Sequence, residues 1–223
     1  MPIEFSGAAF RYGHATEQSS YVLNDTVQSY PLFQMGRNEL TIRQDQAHNV
    51  EFKHLFDYPG NGKFQRARPI GPKVVSVLYA LPFETQSIDL GGVVIDAKQA
   101  KILPLLNLMR DRTALHVPSG QQVAKAIGIP SLVAPKELTN HEITKTPLWY
   151  SCLQEAASHK GKLGPVGGII VATVILRLPH LDAESIFCPE HDFTPWNALG
   201  ATKAGKYTMG HMLDFVEKIA TTL

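Results

Sequence analysis

Cysteine is scarce: the 223 residues contain two, Cys152 and Cys188. Neither belongs to a Cys-x-x-Cys pair, which excludes a zinc ribbon, a thioredoxin-type motif and a dense disulfide framework. A single bridge and two independent buried thiols both stay open. An excess of one charge is lacking as well. Lys and Arg total 21 against 20 Asp and Glu, a net charge of +1, and they are scattered along the chain. Nothing here favours nucleic acid or an anionic membrane surface as a partner. No apolar run reaches the roughly 18 residues that span a bilayer. The longest, residues 164–178, contains Pro165 and Arg177. No signal-peptide pattern opens the chain. There is no internal repeat, no HExxH, no GxGxxG or other phosphate-cradling loop, and no GxSxG elbow. A Ser/His/Asp triad is not singled out by any spacing.

What is present suits a packed domain, or at most two small ones. Hydrophobic residues make up 44% of the chain and charged residues 18%, enough to bury a sizeable core. The pattern is helical. Residues 3–23 read as one helix, with Pro2 and Glu4 at its start and Phe5, Ala8, Ala9, Tyr12 and His14 near one face. Residues 24–45 look irregular and include a glycosylation sequon, Asn24-Asp25-Thr26. Tyr58-Pro59-Gly60-Asn61-Gly62 is a turn cluster. Helical spacing returns at 70–80, stopped by Pro82, and at 97–109, where Pro104 kinks or starts the helix. Ser119 reads as a cap for residues 121–127 and Gly128 as their stop. A short element is expected at 132–138. Residues 146–159 open on Thr146 as a cap. Residues 165–178 form the most apolar helix, ended by Pro179, and a last helix covers 207–220. Strands are few, so the class is mainly α.

Two groups of residues have the chemistry of a site. One is Cys188-Pro189-Glu190-His191 with His180 nearby, which offers metal-ligand types; a surface loop after a buried helix explains it better. The other begins with Phe10-Arg11-Tyr12-Gly13-His14. An imidazole is the usual axial ligand of a peroxidase haem, small residues permit close approach of a flat ring, and an adjacent arginine can meet a propionate. A lone histidine on an apolar helix is also often a hydrogen-bonded core residue. Far downstream lies Leu106-Asn107-Leu108-Met109-Arg110-Asp111-Arg112. In order after it come a Pro118-Ser119-Gly120-Gln121-Gln122-Val123-Ala124 stretch, Thr146-Pro147-Leu148-Trp149-Tyr150, and Leu163-Gly164-Pro165-Val166-Gly167-Gly168.

Taken together these blocks resemble the animal-type haem peroxidases (the peroxidase–cyclooxygenase superfamily), in their bacterial-like branch. The resemblance implies a haem-peroxidase-type helical fold, here incomplete. It implies haem as cofactor, with His14 as the axial iron ligand on the proximal side. Asn107, which would accept a hydrogen bond from that imidazole, makes the ligand more electron-rich. Arg110 matches an arginine associated with a propionate, as Arg11 can also be. Arg112 matches the next position of the motif, and basic residues near a helix end account for it equally well. The chain departs from the vertebrate R-x-R-D-H-G pattern, continuing Arg112-Thr113-Ala114-Leu115-His116.

In that family a distal histidine and arginine cleave peroxide by acid–base and electrostatic action, and both precede the proximal histidine. Thirteen residues precede His14, so these groups are expected to be absent. The whole chain, residues 1–223, then corresponds to a C-terminal, proximal half. No spacing selects His48, His54 or His116 as a distal substitute. The implied function is peroxide-driven oxidation of an unidentified substrate, with the other half as a possible partner and secretion open if that half carries a signal. Independent activity of the chain is doubtful on this reading. The alternatives are a non-catalytic remnant or helical interaction module without haem, and an unrelated all-α enzyme built on Cys188 and His191.

Overall fold

The computed structural model describes residues 1–33, 49–59, 61–130, 133–185, 187 and 207–221. Helix accounts for 46% and strand for 5%, so the class is mainly α as the pattern predicts. The chain divides into two compact units. One comprises Met1–Ser19 and Ala67–Leu181; the other comprises Ser20–Arg66 and Asp182–Leu223.

The first unit contains helices α1 (Ile3–Gly7), α2 (Ala97–Ala100), α3 (Leu103–Met109), α4 (Gly120–Ala126), α5 (Lys136–Thr139), α6 (Leu148–Ser158) and α7 (Pro165–His180). It also holds an antiparallel ribbon in which Ile88–Asp89 pairs with Val94–Ile95. Its core joins Phe5, Ala8 and Ala9 to Leu148, Trp149 and Leu153 of α6 and to Val166 and Val171 of α7.

The expected helix over 3–23 is broken. After α1, Ala8 takes φ −135° and ψ −73°, and Ala9–Ala15 continues as a 3-10 helix. The break follows from packing: a Cβ on Gly7 would lie 2.7 Å from Leu115 Cδ1 and 3.2 Å from Val117 Cγ2, so the backbone sits directly on that segment. The helix expected over 70–80 shrinks to a 3-10 turn at Ser76–Tyr79. Pro104 starts α3 rather than kinking it. Beyond α3 the backbone widens into a π turn, Arg110–Ala114, in which the Arg110 carbonyl accepts from the Leu115 N–H.

The cap at Ser119 is present, closed reciprocally by Gln122, and Gly128 ends that region at φ +72°. Thr146 does not cap α6. Its hydroxyl instead accepts from Gln121 Nε2 at 2.9 Å, and the cap position is Pro147. Pro179 lies inside α7, which runs on to His180. This costs little so close to a helix end, where fewer intrahelical bonds remain to break.

In the second unit, Ser20–Tyr21 pairs with Tyr30–Pro31, and helix α8 spans Met209–Ala220. Gly210 of α8 sits against the Asp57 carbonyl, and Tyr58 donates to Glu217 at 2.9 Å. The sequon asparagine is internal: Asn24 is buried, its Nδ2 donates to the Asn49 carbonyl, and its Oδ1 accepts from Thr26 and Val27. That amide organises a turn rather than standing open to a glycan.

Candidate functional site

The two motifs that frame the haem resemblance meet. Asn107 lies on α3 and is fully buried, and its Nδ2 is 2.9 Å from His14 Nδ1 across 93 residues of sequence. Arg110, one turn further, donates from Nη1 to Asn107 Oδ1 at 3.3 Å. A guanidinium can only donate, so the amide oxygen turns to Arg110 and the amide nitrogen to the ring. His14 Nδ1 then accepts, and the ring proton resides on Nε2. The resemblance implies the reverse sense, with Asn107 accepting. A half-turn of the amide exchanges its oxygen and nitrogen and produces that sense once Arg110 releases the oxygen.

Burial is the main cause that holds the His14 imidazole below the usual histidine range; the charge of Arg11 adds to it, Glu17 opposes it, and Arg110 contributes a little. The ring is therefore neutral near pH 7, and its Nε2 lone pair becomes free for a metal only when the Asn107 amide is turned so that Nδ1 carries the proton. His14 lines a cavity of about 520 Å³ with Phe5, Phe10, Arg11, Tyr12 and Gly13. That volume lies in the range of cofactor pockets. Phe10 is half exposed, and a Cβ on Gly13 would meet nothing within 4 Å, so the open side of the segment is at Gly13. The small residues Gly7, Ala8 and Ala9, by contrast, face the protein body.

Arg11 supplies an orphan. Its Nε is buried with no hydrogen-bond partner; burial first, and then the charge of Arg11, lowers the affinity of Arg110 for its proton, with Glu84 opposing. Of the residues the resemblance implies, His14 and Arg11 line this cavity and Arg110 does not; an imidazole and a guanidinium are the donor types that an iron and a carboxylate would require. Arg112 has a different role, donating to the Val117 carbonyl at 3.4 Å.

The remaining blocks of the resemblance form the frame. Gly120 N donates to the Thr146 carbonyl at 3.0 Å, and Gly120 leaves no room for a side chain against Ser151. Glu155 is buried in α6, where its two carboxylate oxygens accept from Val166 N at 3.0 Å and Gly167 N at 3.1 Å, the first turn of α7. Gly164 is needed because a Cβ there would strike the Glu155 side chain. Cys152 is a free, buried thiol pushed up to about 12, chiefly by burial.

Sequence reasoning missed Asp111, Trp149 and Glu155. An acid just before a basic residue and an acid within an amphipathic helix give no local sign of burial. His116, which belongs to the same unit, does not line the His14 cavity. His54 belongs to the second unit and contacts Asp25 at 3.0 Å and Glu51 at 3.3 Å. These three present metal-ligand atoms within 4.8 Å of one another. Lys53 Nζ already bonds both carboxylates, so an internal cation offsets part of their charge. His116 follows the π turn at φ +50°. His48, Cys188 and His191 lie outside the described residues. No helix among the described residues is long and apolar enough to cross a membrane.

Compared with known proteins, the chain matches no family model and no curated relative.

Proposed function

We propose that the chain provides the proximal side of a haem site of the peroxidase type. The observation that carries this reading is the His14–Asn107 contact at 2.9 Å, which unites two motifs 93 residues apart. Haem would supply an iron that reacts with peroxide. The residues of this chain bind and tune it. His14 Nε2 would hold the iron. Asn107, turned to accept from Nδ1–H, raises the basicity of the ring. Arg11 and Arg110 hold the propionates, and Phe10 and Tyr12 exclude water from one side. Proton transfer to and from peroxide belongs to groups outside this constellation. Hydrogen peroxide and an oxidisable substrate are the partners this reading implies.

Titration of the purified chain with hemin tests the reading. The expected result is a shifted Soret band that His14→Ala abolishes. The same spectrum in that variant removes His14 as the ligand.

A second reading, a helical module that associates without haem, has one observation in its favour. Ile169, Ile175, Leu176 and Leu178 of α7 are exposed, an apolar surface of the kind that drives association. Hemin uptake separates the two.

A further inference from the structure

We infer that Asp111 is a positioning residue that fixes the iron-ligand segment through Trp149. The inference rests on the haem reading for its functional consequence, and on geometry for its existence.

Asp111 is fully buried in the π turn, four residues after Asn107. Its Oδ2 accepts from the backbone N–H of Trp149 at 2.9 Å, 38 residues away. Trp149 is the second residue of α6, where an N–H has no intrahelical acceptor and the residues flanking the helix start provide no side-chain cap. A carboxylate at this end also complements the helix dipole. Asp111 thereby sets the start of α6 and the position of Trp149.

Trp149 hands the constraint on. Its indole Nε1–H donates to the Arg11 carbonyl at 3.1 Å. Arg11 lies three residues before His14, within the same 3-10 helix. One stretch, α3 with its π turn, therefore grips the ligand segment twice. Asn107 holds the His14 ring directly. Asp111 holds the backbone beneath it by way of Trp149. Two separated contacts fix both the place and the tilt of a ring, which a single hydrogen bond to one ring nitrogen leaves free to rotate. The π turn is what permits this. Within this wider turn Asp111 is buried, Arg110 half-buried and Arg112 exposed, and such turns recur at functional sites.

The bland reading is that Trp149 is a core residue whose indole N–H needs some acceptor. The two readings differ in what Trp149→Phe does. That variant keeps an aromatic ring in the core and removes the N–H. Asp111→Ala removes the acceptor at the other end, and Asp111→Asn retains an oxygen that can accept from Trp149. Val171→Ala is the control, a loss of packing in the same core away from the ligand segment.

Three quantities are measured in each: the thermal midpoint, the hemin dissociation constant from the Soret band, and the His14 imidazole ¹⁵N shifts in the haem-free chain. Positioning predicts that Trp149→Phe and Asp111→Ala weaken hemin about 10-fold, as supporting residues of metal ligands commonly do, and move the His14 shifts. Asp111→Asn stays near wild type in both. Val171→Ala lowers the midpoint and leaves both unchanged. Equal hemin affinity and unmoved His14 shifts in Trp149→Phe overturn the inference, whether or not Asp111→Ala folds. If the wild-type chain takes up no hemin, the haem reading fails by itself, and the His14 shifts still decide whether the brace exists.

Discussion

Replacing Asp111 by Asn should remove a specific segment of the pH dependence of stability. Asp111 is buried, and its Oδ1 has no hydrogen-bond partner. Burial pushes its carboxyl from 3.8 up to about 6, against the opposing pull of the Trp149 N–H, the Arg112 charge and the Leu148 N–H. The folded state then holds this proton more tightly than the unfolded chain. Between about pH 4 and pH 6 the folded state binds more protons, so stability is highest below that window and is lost as pH rises through it. At roughly 1.36 kcal/mol per pH unit, the loss is about 3 kcal/mol. Asparagine has the shape without the charge, so its profile lacks this segment. Urea unfolding followed by tryptophan fluorescence, from pH 4 to pH 7.5, supplies the two curves. Their difference cancels His14 and every other titrating group the two proteins share. The expected difference favours the variant increasingly with pH and levels off above about pH 6. Parallel profiles, or a wild type that gains on the variant as pH rises, refute the reasoning.

Two further outcomes follow from buried acceptors. Glu155→Ala leaves the Val166 and Gly167 N–H groups at the start of α7 without their carboxylate; at about 1–3 kcal/mol for each stranded group, stability should fall by roughly 3 kcal/mol. Urea unfolding measures it, with Glu155→Gln recovering part of the loss, and an unchanged midpoint contradicts the assignment. Asn107→Leu fills the same buried space without a hydrogen-bonding group and should weaken hemin binding about 10- to 100-fold while leaving a Soret shift that still depends on His14. Unaltered affinity in that variant would mean that the contact with His14 Nδ1 has no part in ligation.

Local signals were legible in the sequence because they act over a few residues. The capping box of Ser119 and Gln122 and the left-handed Gly128 stand where the pattern puts them. Helical spacing placed α3, α6, α7 and α8 and set the mainly α class. His14 and Asn107, 93 residues apart in sequence, touch. Tertiary structure decided what has no local cause. Gly7 against Leu115 and Val117 broke the first helix, which its composition alone would have continued. The cap of α6 comes from Asp111 rather than from the neighbouring Thr146, because an orphan N–H takes the nearest acceptor in space rather than in sequence. The sense of the Asn107 amide was likewise set by Arg110. His14 as a ligand candidate could be read from the chain itself. The support around it, Asp111 through Trp149 to the Arg11 carbonyl, exists only once three distant segments pack together and each buried polar group must find a partner.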